Sequence, residues 1–459
     1  MTVMKKILCV AMVLLMLGSL AACGAKKPDT DAENQKEQNS QTDANEKVTL
    51  ELWWWGEEDV PGSRAWLEET AAKYEEETGI HINLTQQTSD NLMTAWEASV
   101  QAGEGADIQF FWTGIYTLMY VWGEESSLTD LSEYISEEEM SHWMGTDGVS
   151  MGGTTWAQPW YLQSIVLLYN KELFRSAGLD PEKTPENYEE FLTTCEKLKQ
   201  SNVVPFEIGG MKDGFGTPWI YSTIGVAGHD DVSEYVEAAL EPGAYETEAH
   251  ALWLEVLANL YEKGYINPLT MSNEFQSGRE SFLRGESAMG FATYGQAIQW
   301  IEEMGGDDVA AIMKVPAFGD GKMAGGQNVQ SQAFGIPAFS KHKQEAADFM
   351  VYMHQPEQLN RFYELTKNFP ADDRFNADVL STPSEKFEWN YLVEDPCIYP
   401  SLYMPSSIHS LGNYAACQMV LSGEDAADAA AYVESMAEQW RSMNPEEVKN
   451  FTAWAETFQ

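Results

Sequence analysis

Between Val48 and Trp112 the sequence switches repeatedly between two hydrophobic periods, and this alternation limits the folds open to it. Val48 to Trp55 is a run of β-branched and aromatic residues that predicts a strand. Ser63 to Thr78 carries Trp66, Leu67, Ala71 and Tyr74 at helical spacing, with Gly79 as its stop. Ile80, Ile82 and Leu84 alternate as in a strand, Asp90 to Ala102 has Leu92, Trp96 and Val100 on one helical side, and Asp107 to Trp112 is a third strand. The order β-α-β-α-β implies right-handed crossovers, a mostly parallel sheet with helices on its faces, and ligands held beyond the carboxyl ends of the strands. The turns at Trp53 to Glu58 and at Trp112 to Tyr116 occupy those ends.

A second α/β series starts with the apolar run Ser164 to Tyr169, typical of a buried strand, and a helix closed by Gly178. Thr184-Pro185 reads as an N-cap and first-turn proline opening a helix to about Gln200, followed by a strand at Val203 to Ile208. Helices are predicted near Ala249 to Lys263 and Phe275 to Arg284, short strands at Ala288 to Ala292 and Val309 to Val315, and a mainly helical chain from Ser340 onward. No repeat of fixed period is present. A chain of 459 residues is long enough for two or three domains, each with its own core.

Charge narrows the partners. With 27 Lys and Arg against 72 Asp and Glu, the net charge is −45, so duplex nucleic acid and anionic membrane surfaces are repelled at long range. Five Cys cannot build a disulfide scaffold, and no two have a zinc-site spacing.

The N-terminus reads as an export signal, with Lys5 and Lys6 ahead of an apolar run from Ile7 to Leu17 that is too short for a comfortable membrane span. Leu20-Ala21-Ala22-Cys23-Gly24 resembles the bacterial lipobox, in which the chain is cut before the Cys and its thiol takes a diacylglycerol. The alternative is an ordinary secretory signal that leaves Cys23 as a free thiol. Gly24 to Glu46 has no aromatic residue and no Val, Ile or Leu, so residues 23 to 46 are expected to be a disordered tether behind a signal peptide of residues 1 to 22.

Several stretches of the folded part carry a family likeness: Leu50-Glu51-Leu52-Trp53-Trp54-Trp55-Gly56, Gly105-Ala106-Asp107-Ile108, Gln158-Pro159-Trp160-Tyr161, and Leu168-Tyr169-Asn170-Lys171-Glu172-Leu173-Phe174. Ala177-Gly178-Leu179, Thr184-Pro185, Ala288-Met289-Gly290, Phe334-Gly335-Ile336-Pro337 and Glu345-Ala346-Ala347-Asp348-Phe349 follow in order. In sequence and spacing they resemble the bacterial extracellular solute-binding proteins of family 1, receptors of carbohydrate ABC importers and the group that includes the maltose-binding protein. The resemblance implies an α/β, two-lobed fold of the type II periplasmic-binding kind, with a hinge between the lobes and one ligand in the cleft. It places strand crossings near Pro159 to Gln163, Gln327 to Gln330 and Asp378 to Ser384. One lobe would comprise residues 47 to 160 and 327 to 380, the other residues 161 to 326 and 381 to 459. The same resemblance implies a monomer outside the cytoplasm, held on the cell membrane by lipidated Cys23, with a carbohydrate ligand, the importer's transmembrane subunits as partners, and no cofactor, metal or catalysis.

A sugar offers flat C–H faces and a rim of hydroxyls, so its site needs aromatic plates and side-chain carboxylates or amides. Carried over by motif, the turn after the first strand gives Trp55, Glu57 and Glu58, one of the two acids facing the ligand. The turn after the third strand gives Trp112 and Tyr116, and the hinge gives Trp160, Tyr161 and Gln163. The second lobe gives Trp219, the segment after Ala288-Met289-Gly290 gives Tyr294 where many family members have Gly-x-Trp, and Gln327 and Asn328 complete the set. For Trp54, Trp66, Trp96 and Trp253 the sequence favours core packing instead.

Other chemistries have less support. Gly148-Val149-Ser150-Met151-Gly152 matches G-x-S-x-G, but Gly153, Thr154, Thr155 and Pro159 preclude the helix that a nucleophile elbow requires, so the segment is predicted as a hairpin turn. There is no H-E-x-x-H and no G-x-x-x-x-G-K. His409 is expected to be structural or a ligand contact, and Cys397 and Cys417 are a conceivable disulfide pair. A surface glycosidase with two flanking carboxylates is the alternative enzyme reading; a binder of a non-sugar solute and an adhesin are the others.

Overall fold

The computed structural model describes residues 48–57, 60–122, 126–212 and 217–458. The signal peptide, Cys23, the tether and Glu58 lie outside the described residues. Among the described residues there are twelve strands: β1 Thr49–Trp54, β2 His81–Gln86, β3 Ile108–Trp112, β4 Ser150–Met151, β5 Thr154–Thr155, β6 Gln158–Asn170, β7 Val204–Glu207, β8 Ser287–Thr293, β9 Ala310–Met313, β10 Gln327–Gly335, β11 Phe369–Pro370 and β12 Pro396–Ile398.

The first half forms as its periodicity dictates. In β1, Leu50, Leu52 and Trp54 point inward while their neighbours do not, and the helix Ser63–Thr78 covers them with Trp66, Leu67, Thr70, Ala71 and Tyr74. Gly79, at φ 78°, ends that helix by donating its N–H to the Glu75 carbonyl. β1 pairs in parallel with both β2 and β3, so their carboxyl ends lie together. Trp54, Trp66, Trp96 and Trp253 are all buried, as expected. Gly152 and Gly153, at φ 63° and 82°, make the tight turn between β4 and β5, which is the hairpin foreseen for the G-x-S-x-G segment.

The expectation of a mostly parallel sheet is corrected. The strands run in the order β2-β1-β3-β10-β6-β8-β7, and β10 is antiparallel to β3 and β6, as β6 is to β8 and β9. Beyond β1–β2 and β1–β3, parallel pairs occur at β7–β8 and β10–β12. The antiparallel rungs come from strands that return after long excursions, which local alternation does not register.

β6 is longer than predicted, at 13 residues, all buried. Its Gln158 to Ser164 stretch pairs with β10, and from Ile165 on it pairs with β8 on one edge and β9 on the other. One strand therefore serves two sheet sections. Phe110, Phe334 and Phe349 help fill the core over the first section, and Phe191, Phe206 and Leu257 belong to that of the second. A third core under β6 includes Leu162, Val166, Tyr294 and Phe369.

Two smaller readings also change. The helix expected to open at Thr184-Pro185 begins at Tyr188, where the Asn187 side chain accepts the Glu190 N–H at 3.0 Å. Proline disfavours helical geometry in the residue before it, and Asn is the stronger cap. The pair Cys397–Cys417 does not form: Cys397 is a buried thiol, its Sγ facing the Met323 carbonyl. Among the described residues no helix is long and apolar enough to cross a membrane.

Leu52 is fully buried in a central strand. Leu52→Ala is expected to lower the unfolding free energy by about 2–5 kcal/mol, read as a reduced urea midpoint at constant slope.

Candidate functional site

The parallel pairing of β1 with β3 brings Trp55 and Trp112 together at the strand carboxyl ends. Their rings meet at 5.1 Å with a 54° tilt, and Phe110 backs both, at 6.1 Å from Trp55 and 5.6 Å from Trp112. Both indoles are half-buried, so they make a corner with accessible ring surface.

Beside this corner the antiparallel strands bring amides together. Gln332 lies across from Trp112 and from Tyr161, and Gln330 across from Gln163, which sets these side chains on one face of the sheet. Gln330 Nε2 donates to Gln163 Oε1 at 2.6 Å and Gln332 Nε2 donates to the same oxygen at 3.1 Å. Gln332 Oε1 is buried and, among the described residues, has no hydrogen-bond partner. Buried acceptors are nearly always satisfied, so this oxygen suits a ligand hydroxyl or a water. Gln330 and Gln332 were not foreseen. Their signal is the spacing in Gln327-Asn328-Val329-Gln330-Ser331-Gln332, where residues two apart on a strand share a face.

Trp160 and Tyr161 are neighbours that an ideal strand would send to opposite faces. Here the register shifts between Gln332 and Ala333, which pair with Tyr161 and Pro159, and the extra residue turns both rings into one core. Trp160 is 3% exposed, packed on Trp66 at 5.8 Å and on Phe334 at 4.8 Å, so the expected ligand plate is a core residue. Tyr161 is also buried, with its hydroxyl oxygen 3.7 Å from where a Cβ on Gly56 would stand.

The remaining candidates divide in the same way. Glu57 holds the helix that starts at Ser63: its carboxylate accepts from Gly62 N at 3.1 Å, Ser63 Oγ at 3.0 Å and Arg64 N at 2.6 Å. Gly62, the residue at the cap position, has no side chain to do this, so the acid is committed to the helix end rather than to a ligand. Tyr294 is fully buried, stacked on Phe369 at 4.2 Å with its hydroxyl 3.2 Å from that of Tyr363, which places it in the core under β6 and not in a cleft. Gln327 and Asn328 spend their amides on β6. Asn328 Oδ1 accepts from Ile165 N at 2.9 Å, Asn328 Nδ2 donates to Ile165 O at 3.0 Å, and Gln327 Nε2 donates to the same carbonyl at 3.1 Å. Both are joints of the sheet.

Trp219 is half-buried on the helix Thr217–Ile224, with the Arg279 guanidinium 4.1 Å from its ring centre and Phe275 edge-on at 4.9 Å. Tyr116 is half-buried at the turn after β3; burial pushes its hydroxyl pKa up, and hydrogen bonds with Ser406 and Ser410 oppose this. The two serines come from a π-helical turn around Ser407–Asn413, a meeting for which the local sequence carries no signal.

A cavity of about 550 Å³ adjoins β6 and β10, where Leu162, Val329, Gln330 and Ser331 line it together with Thr113, Asp147, Asp231, Lys322 and Asp395. None of the expected aromatic residues borders it. Among the described residues no His, Cys, Asp and Glu cluster could hold a metal ion.

Glu57→Ala is expected to cost about 1 kcal/mol in urea unfolding, as removal of a helix cap does. Asn328→Ala takes the acceptor from the buried Ile165 amide, while the carbonyl keeps Gln327, and is expected to cost about 1–3 kcal/mol in the same measurement.

Comparison with known proteins gives this geometry its context. The sn-glycerol-3-phosphate-binding periplasmic protein UgpB of Escherichia coli K12 is 25% identical over 182 residues, covering 38% of this chain and 36% of that protein. The match thus spans little more than a third of that relative's length. Among solved structures, a chitin oligosaccharide binding protein superposes with a TM-score of 0.74 at 19% identity, covering 87% of this chain and 100% of the other. The cyclic alpha-maltosyl-1,6-maltose binding protein from Arthrobacter globiformis does so with a TM-score of 0.64 at 18% identity, covering 85% and 99%. These likenesses show the two-lobed fold of type II periplasmic binding proteins. The family signature itself covers residues 59–359, and on that extent the chain belongs to the bacterial extracellular solute-binding proteins.

Proposed function

We propose that this chain is the capture subunit of an ABC importer and that it holds a sugar, an oligosaccharide in particular, between its two lobes. The observation that carries the reading is the Trp55–Trp112 corner beside the Gln163, Gln330 and Gln332 amides, one of whose oxygens is buried without a partner among the described residues. Indole faces suit the C–H faces of a pyranose, and uncharged amides both donate to and accept from its hydroxyls. Burying about 60 Å² of sugar on each plate contributes roughly 1.5 kcal/mol at 25 cal/mol per Å². Two plates and several polar contacts bring the total toward the roughly −8 kcal/mol of micromolar binding. Names of structural neighbours, a chitin oligosaccharide binding protein and a cyclic maltosyl-maltose binding protein, point to the same ligand class.

In this reading the lobes comprise residues 47 to 160 with 327 to 380, and residues 161 to 326 with 381 to 459, and they turn about β6 and β10. Tyr116 and Trp219 approach the ligand from the cleft walls. Residues 1 to 22 direct export, Cys23 carries lipid that fixes the protein outside the membrane, and the acidic body stands off the surface as a monomer on its tether. The importer's transmembrane subunits receive the closed form. The glycosidase alternative is disfavoured by Glu57, the acid beside Trp55, which is bound into a helix end and not poised across a glycosidic bond.

UgpB, by its name, takes sn-glycerol 3-phosphate, and a phosphate ligand would need cations where the corner offers amides. Thermal-shift measurement with chitin oligosaccharides, maltooligosaccharides and glycerol 3-phosphate separates the two. A sugar at 100 times its Kd is expected to add about 2.7 kcal/mol of stability. Trp112→Ala and Gln163→Ala are each expected to weaken that sugar by at least about tenfold in calorimetry, about 1.4 kcal/mol, with the melting temperature little changed. A response to glycerol 3-phosphate alone, or reducing sugar released on incubation, would overturn the reading.

A further inference from the structure

The cavity beside β6 and β10 touches the amide cluster at Gln330 and otherwise presents residues with no part in the indole corner. Leu162 and Val329 of the strands meet Met144, Leu392 and Leu402 there, so much of its wall is apolar. At about 550 Å³ it has the size of a small-molecule site. A second space of about 340 Å³ lies between the β4–β5 turn at Gly152 and Phe458 near the chain end. It shares Asp147, Val232, Ile398 and Tyr403 with the first, so these four residues mark where the two spaces adjoin.

Polar groups at that meeting point are incompletely used. Tyr403 is 8% exposed, with its ring packed on Trp454 and on Phe458, each at 5.8 Å. Among the described residues its hydroxyl makes no hydrogen bond, although buried polar groups nearly always have a partner. Burial and the nearby Asp147 charge push its pKa up, so the hydroxyl stays neutral. Asp147 is exposed on the cavity wall and forms no ion pair among the described residues. Asp231 Oδ1 accepts from Ser233 Oγ at 2.7 Å and from Glu234 N at 3.1 Å, capping the helix Val232–Glu237, and Oδ2 takes no part in the cap. The other charges of the wall are matched: Lys322 is held by Asp230 at 2.8 Å, and Asp395 by Lys314 at 2.9 Å. What remains is the negative charge of Asp147 and Asp231, in a chain whose net charge of −45 adds a field of the same sign.

We propose that this cavity is a second ligand site, for an organic cation whose ammonium head lies at Asp147, Asp231 and Tyr403 and whose apolar body lies along Leu162, Val329 and Leu392. An ammonium group donates to the two carboxylates and to the tyrosine oxygen at once, and has no acceptor demand of its own to leave unmet. An anion would be repelled. A metal ion would leave the apolar wall bare, and among the described residues no group of three His, Cys, Asp or Glu could hold one. A neutral sugar would lack the indole plates, none of which borders the space. The site is separate from the Trp55–Trp112 corner, so the proposal stands whether or not that corner takes a sugar.

The test uses three probes with one body and different heads: 4-phenylbutylammonium, 4-phenylbutanol and 4-phenylbutyrate. They are titrated into the full chain labelled with methyl-13C methionine and followed by NMR. Met144 and Met323, which line the cavity, report occupancy, and Met350 in the core with Phe110 is the control. The ammonium probe is expected to shift Met144 and Met323 saturably and to leave Met350 in place. The alcohol is expected to bind at least about tenfold more weakly, as loss of charge-assisted hydrogen bonds implies, and the carboxylate not at all. Asp147→Asn alters an exposed residue, and Asp231→Asn keeps a side chain able to cap its helix. Together they are expected to weaken the ammonium probe at least about tenfold, and Tyr403→Phe to weaken it severalfold. No saturable shift at Met144 and Met323, equal affinity for ammonium and alcohol, or unchanged affinity in the double variant overturns the proposal. Should the double variant fail to fold, Asp147→Asn decides, an unchanged affinity overturning the site. No sugar is added, so failure of the sugar reading shows only in the thermal-shift experiment, and failure of the cation site only here.

Discussion

A single buried strand belonging to two sheet sections is the constraint on which the rest of this molecule depends. β6 gives its first part to β10 and its second to β8 and β9, so neither section can be built without it. A 13-residue strand buried along its whole length has no exposed edge to fray, and each section's ladder fixes the register of the other. The pairing changes hands at Ser164 and Ile165. Gln163 lies on one side of that point, Asn328 holds it from the next strand, and Glu388 sits beneath it.

Strand pairing also gathers the amides. Gln330 and Gln332 reach Gln163 from the neighbouring strand, and Gln332 stands across from Trp112. Gln330 also borders the cavity that Leu162, Val329 and Ser331 line, so the amide cluster and the cavity meet at this residue. Thr113, Asp147, Asp231, Lys322 and Asp395 line the same cavity, which brings polar groups from distant parts of the chain to one space.

Local pattern made part of this legible in the sequence. The helix Ser63–Thr78 was readable because its buried residues repeat at helical spacing and Gly79 stops it; β1 and β3 were readable from runs of β-branched and aromatic residues. Pairing was not, since β10 reaches β3 and β6 after excursions that no window of sequence spans. Among the candidate residues, Trp55 and Trp112 meet at the strand carboxyl ends as expected, because strand ends are marked locally. Trp160 misled because a register shift, invisible in sequence, turned it inward beside Tyr161. Glu57 misled for a different reason: an acid five residues before Gly62 gives no sign that the glycine lacks a cap and will borrow one. Tyr294 was masked by Phe369 and Tyr363, which belong to a distant part of the chain.

Asn328 carries a consequence of a different kind. Its amide matches the backbone of Ile165 with one acceptor and one donor, adding a rung to the ladder after the strands themselves have parted. Main-chain rungs are anchored at both ends, whereas this one hangs on two side-chain torsions and can swing while staying bonded. Gln327 donates to the same carbonyl, so the joint is shared by two consecutive amides, of which only Asn328 also accepts from the Ile165 N–H. Two adjacent codons thus set how tightly β10 is tied to β6 beyond their last main-chain pair, independently of the side chains at the indole corner.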